Sequence, residues 1–166
     1  MKKLFFMLSV FSTLIVGCSK EDFEDVDSTG LPSPKANEIY YTTTDGLFID
    51  FSDKKWFNTS VTSHTIKNDS IFVLTFINDL EEIEDDMFNF DYTNMSHKLK
   101  SIRLPKSVGH IGQSAFFCNY ELISVNIPNK VTAIEDSAFS NCQALERIVI
   151  PNKVTKIGTD AFKGCI

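Results

Sequence analysis

The apolar and polar positions of this 166-residue chain change rhythm several times. Leu4 to Val16 is an apolar run interrupted only by Ser9, Ser12 and Thr13. Residues 19–36, SKEDFEDVDSTGLPSPKA, have no apolar period at all. From EIYYTT at Glu38 to IFVLTF at Ile71 the pattern is short, β-branched and aromatic, which predicts strands. The last stretch is periodic on a longer scale. LKSIRLPKSVGHIGQSAFF from Leu99, LISVNIPNKVTAIEDSAFS from Leu122 and LERIVIPNKVTKIGTDAFK from Leu145 align without gaps. Each starts 23 residues after the one before, and the spacing holds in every apolar column: Ile102, Val125 and Ile148; Val108, Val131 and Val154; Ile111, Ile134 and Ile157.

Such a period predicts a repeat architecture, in which each unit is one coil and stacking buries a continuous core. Within a coil, L-x-x-I-x-I ends in strand-like alternation. Proline at 105, 128 or 151 stops that strand, since it has no N–H and a fixed φ. V-x-x-I is a second buried stretch, with Gly112 and Gly158 marking a turn after it. Ala-Phe at 115, 138 and 161 opens a short helical or 3₁₀ return. A degenerate fourth copy is expected upstream. Aligning Phe88 with the phenylalanine column puts Ile71, Leu74, Phe76, Leu80, Ile83 and Met87 on apolar columns, followed by an insertion before Leu99.

The consensus L-x-x-I-x-I-P-x-x-V-x-x-I-G-x-x-A-F-x-x-C resembles the leucine-rich repeat of the BspA-like bacterial surface proteins. Residues 38–76 resemble the β-rich cap that precedes such repeats in lipoproteins of that family. The sequence departs from the pattern where Glu135 replaces glycine, and where Cys118 precedes the column of Cys142 and Cys165, leaving Asn119 in it. The fold implied is a leucine-rich-repeat solenoid, a short α/β or mainly β right-handed superhelix of about four 23-residue coils with a β-rich N-terminal cap. The function implied is adhesion or protein recognition at the bacterial surface.

The N-terminus reads as an export signal. Lys2 and Lys3 precede an apolar run that reaches about 20 Å as a helix, short of a ~30 Å bilayer core. It ends in Ile15-Val16-Gly17-Cys18, which looks like a bacterial lipobox, so Cys18 is expected to carry the lipid. Ser19-Lys20-Glu21-Asp22 resembles the acidic signals that direct some lipoproteins outward. The expected organisation is a signal peptide over 1–17, a flexible acidic tether over 18–36 and a cap over 37–70. Repeats follow over 71–166, divided as 71–98, 99–121, 122–144 and 145–166. The expected location is the outer membrane, surface-exposed; a periplasm-facing accessory lipoprotein of an envelope complex is the alternative.

Charge sharpens this organisation. The whole chain carries −6, which argues against a nucleic-acid binder. Residues 18–98 hold 6 Lys against 17 Asp and Glu, whereas 99–166 hold 8 Lys and Arg against 5 Asp and Glu. The repeats are thus slightly basic and the rest acidic.

No catalytic constellation, metal site or cofactor is expected. His64, His97 and His110 lie far apart, and His110 occupies a variable column. The acidic run around Asp79–Asp86 lacks the order of a calcium loop and reads as a solvated face. Cys142 and Cys165 fall one coil apart and are expected as buried thiols rather than a disulfide. Trp56 and Phe57 are expected to pack inside the cap. The working surface expected is the outward face of the first strand of each coil. Its candidates for binding a protein ligand are Ser101, Arg103, Ser124, Asn126, Arg147 and Val149, with Val73 and Thr75 continuing the ladder in the degenerate copy.

Overall fold

The computed structural model describes residues 28–51, 60–89 and 98–165. Cys18, His97, Trp56 and Phe57 lie outside the described residues, so the readings placed on them are not addressed by the fold.

Nine strands form two sheets. In chain order they are β1 (Glu38–Thr43), β2 (Val61–Lys67), β3 (Ile71–Phe76), β4 (Glu82–Ile83), β5 (Leu99–Arg103), β6 (His110–Ile111), β7 (Ser124–Val125), β8 (Ala133–Ile134) and β9 (Lys156–Ile157). The second sheet, β4-β6-β8-β9, is parallel throughout, with Ile83, Ile111, Ile134 and Ile157 in register. This is the V-x-x-I column of the sequence, and it makes one side of the solenoid. The first sheet, β2-β3-β1-β5-β7, has a parallel part, with Ser101 opposite Ser124 and Ile102 opposite Val125.

The first sheet corrects one expectation. Ile71–Phe76 was expected as the first strand of a degenerate coil, stacked parallel on β5. Instead β3 pairs antiparallel with β1 and β2, and β1 takes the place beside β5, antiparallel to it. Only the second half of that copy behaves as a coil. There, β4 pairs with β6 and Phe88 stacks on Phe116 at 5.3 Å between ring centroids. Alternation at period two reports a half-buried strand but not the direction of its neighbour, which is why both arrangements fit the same residues.

The third side of each coil was expected to be a short helix or 3₁₀ return, and it is a run of turns. Ser114, Ser137 and Asp160 have φ between 52° and 56°, and Asp86 matches them. Left-handed residues cannot continue a helix. They turn the N–H groups toward the following coil instead. The Phe88, Phe116 and Phe139 amides donate to the carbonyls of Ala115, Ala138 and Ala161, each at 2.7 Å. Inside, Phe88, Phe116, Phe139 and Phe162 form a stack with centroids 5.0–5.4 Å apart and rings within 10° of parallel. The core runs unbroken from Ile39 and Phe72 of the N-terminal strands to Ala161 of the last coil.

The N-terminal segment 28–36 also departs from expectation. Its sequence predicts part of a flexible tether, yet Thr29, Leu31, Pro32 and Pro34 are buried. Leu31 packs with Tyr40 and Val73 in a small second cluster on the outer face of the first sheet.

Candidate functional site

The expected binding ladder is divided by this strap of residues. Ser101 and Arg103 are buried, 8% and 4% exposed, where an outward and solvated position was expected. Val73 is buried and Thr75 half-buried. The cause is local. The Arg103 guanidinium Nη1 donates to the Leu31 carbonyl, which ties residues 29–34 over the strand face. β1 flanks the same strand on its open edge. Ser101 Oγ accepts from Ser124 Oγ at 2.9 Å, so the serine ladder is a hydrogen-bonded pair rather than two free hydroxyls.

Downstream the ladder opens. Ser124 and Asn126 are half-buried, and Arg147 and Val149 are exposed, Val149 by 67%. Asn126 has a structural task as well. Its Oδ1 accepts the Leu104 N–H at 2.6 Å, and its Nδ2 donates to the Leu104 carbonyl at 3.2 Å. That closes backbone groups that the shortened strand β7 leaves unpaired at this point, as buried amides require.

Beside the open ladder lies a groove of about 610 Å³ that crosses three coils, from Arg103 and Lys106 through Asn126 and Lys130 to Val149 and Lys153. Among the described residues, no carboxylate lines it. Sequence reasoning picked the strand residues and missed the lysines. The signal was present in P-N-K at 128–130 and 151–153, where lysine repeats one coil apart immediately after the strand-ending proline.

The opposite side carries the charge network. His110, expected as a solvated histidine, is half-buried and bridges two carboxylates, with Nε2 3.1 Å from Glu135 and Nδ1 3.7 Å from Glu82. Glu135 also takes Lys156 at 2.5 Å, and these bonds from Lys156 and His110 hold its carboxyl below the usual range. The acidic residues Glu81, Glu82, Glu84, Asp85 and Asp86 are exposed around buried Ile83. Among the described residues, no three His, Cys, Asp or Glu side chains converge to hold a metal ion. Also among them, no helix is long and apolar enough to cross a membrane.

The cysteines serve the core. Cys142 and Cys165 are free thiols, each donating to a phenylalanine carbonyl of the preceding coil (Phe116 and Phe139) at 3.2 Å. Burial pushes the Cys142 thiol well above its usual range. Asn119, standing in the same column, does the same work through Nδ2, which donates to the Phe88 carbonyl at 2.7 Å.

Residues 49–166 match the family described as the BspA type leucine rich repeat region, in six copies. A crystal structure of a leucine-rich repeat protein from Bacteroides ovatus is similar at 31% identity over 61% of this chain, with a TM-score of 0.48. The match spans 24% of that protein's length. No curated protein matches the chain.

Proposed function

Because this chain belongs to the BspA-type leucine-rich repeat family, we propose that it is an exported, lipid-anchored recognition protein that binds a protein ligand through the open part of its strand face. Leucine-rich repeats act generally in protein–protein recognition, and extended solenoid faces suit that task. Cys18 carries the lipid and residues 19–27 lead to the domain. About four coils, the first of them incomplete, stand under a cap made by the N-terminal strands. The observation that supports the reading best is the accessible stretch Ser124, Asn126, Arg147 and Val149, which opens directly onto the groove across three coils. The proposed role is adhesion at the bacterial surface.

Two measurements test it. The full chain, immobilised and exposed to host-matrix and envelope proteins, is expected to retain a ligand that Arg147→Glu with Val149→Asp releases. Retention unchanged by that pair would remove the strand face from the reading. Protease shaving of intact cells is expected to cleave the folded domain, and protection would assign it to the periplasm instead. Loss of fatty-acid labelling in Cys18→Ala would identify the anchor.

A further inference from the structure

The groove beside the strand face has a chemistry of its own. Lys130 and Lys153 are exposed, sit one coil apart, and pair with no carboxylate among the described residues. Adjacent coils are spaced by about 4.8 Å, so the two lysines recur on neighbouring coils of one groove. At the other end of the groove lie exposed Lys106 and buried Arg103, the latter bonded to Leu31. Its wall includes aliphatic Ile127, Val149 and Pro151 beside Asn126 and Asn129, and among the described residues no aromatic side chain lines it. The groove runs along the coils rather than across the end of the stack, so stacking does not cover it.

We propose that this groove receives an extended acidic segment of the protein ligand, its carboxylates on Lys130 and Lys153 and its alternate aliphatic side chains against Ile127, Val149 and Pro151. Three features favour a peptide. An extended chain alternates its side chains face to face, which lets carboxylates reach the lysines while the intervening side chains meet Ile127, Val149 and Pro151. Sugar rings are held largely by aromatic faces, and the described lining has none. The positive lining of the groove complements a negative partner, which raises association rate and specificity. The proposal rests on the recognition reading above and adds to it the chemistry of the ligand.

The test uses the full chain and a labelled peptide of about nine residues alternating Glu and Val, long enough to cross three coils, with its Gln-Val counterpart. The acidic peptide is expected to bind and the Gln peptide not. Lys130→Gln with Lys153→Gln is expected to weaken binding about tenfold, as is raising salt from about 0.05 M to about 0.5 M. Lys100→Gln with Lys163→Gln, the same loss of charge outside the groove, is expected to leave binding within about twofold. Equal loss in both double variants, or no binding of the acidic peptide, would overturn the proposal. Tighter binding of a heparin oligosaccharide would assign the groove to a sulfated glycan and overturn it too. So would binding that emerges only when Glu21, Asp22, Glu24, Asp25 and Asp27 are neutralised, which would assign the groove to the chain's own acidic stretch. If the ligand captured by the full chain depends on Arg147 and Val149 while the acidic peptide fails, the recognition reading stands and the acidic chemistry alone falls.

Discussion

Two arginines of the expected ladder have opposite duties, Arg103 in β5 and Arg147 in a segment, residues 145–150, that forms no strand. Arg103 is buried and holds Leu31, whereas Arg147 is exposed and has no bond to any other described residue. Removing a buried charged donor leaves its acceptor and neighbours unsatisfied, at a cost of about 2–3 kcal/mol. Arg103→Ala is therefore expected to lower stability by that amount in urea titration and to free residues 29–34 for proteolysis. Arg147→Ala should lie within about 0.5 kcal/mol of the native chain. His64 offers a second contrast. Its Nε2 meets the Tyr41 hydroxyl at 2.5 Å, and burial depresses its pKa from 6.5 to about 4. The unfolded chain thus binds a proton near pH 6.5 that the folded chain takes up only near 4. Stability from this residue is complete above pH 6.5 and is lost as pH falls toward 4. The ring is partly exposed, so solvent screening reduces the effect to about 1–2 kcal/mol. Urea titrations between these limits should show the fall, and His64→Phe should flatten it.

At the scale of the coil, the glycine column explains its own exception. A Cβ on Gly112 would come within 2.5 Å of the Asp85 carboxylate, which accepts the Gln113 N–H at 2.7 Å. Gly158 is similarly closed by Asp136, which accepts the Thr159 N–H at 2.7 Å. Between them the capping position holds Gln113, which makes no such bond, and there Glu135 replaces glycine. Gly158→Ala is expected to cost about 1–3 kcal/mol by overpacking. Gly109→Ala, whose Cβ meets nothing closer than 3.6 Å, should leave the melting temperature nearly unchanged. The columns of 99–165 were legible because each apolar position recurs with one period, and a period in sequence is a stack in space. The strap and the antiparallel strands were not. Leu31, Pro32 and Pro34 stand alone among acidic, serine and proline residues, with no period to mark them as buried. Ser101 and Arg103 occupy columns that alternation turns outward, and only the tertiary fold brings Leu31 down on them. Arg147 and Val149 stay exposed, as alternation places them, because that strap does not bury them.

For the whole molecule, the phenylalanine stack is the line of mechanical continuity. Phe139 is fully buried between Phe116 and Phe162. In a solenoid each coil contacts only its neighbours, so stability is a sum of coils and interfaces. Phe139→Ala is expected to cost about 3–5 kcal/mol and to separate the last coil from the rest. Limited proteolysis of that variant should remove residues after 140 well before it touches 60–115, and cleavage at equal rates would refute this chain-like coupling.

The position of β1 has a consequence for how such a gene can grow. Below β5 the neighbour is the parallel strand β7 of the next repeat, with Ser101 opposite Ser124 and Ile102 opposite Val125, so a duplicated 23-residue unit inserted after residue 121 would meet familiar surfaces at that junction. Above β5 the neighbour is a strand of opposite direction drawn from the start of the domain, whose register is fitted to Leu99–Arg103 alone. A unit inserted there would have to replace that seal. Duplication is accordingly free in one direction and blocked in the other, and lineages of this protein are expected to differ in length downstream of β5 while keeping a single, unrepeated beginning.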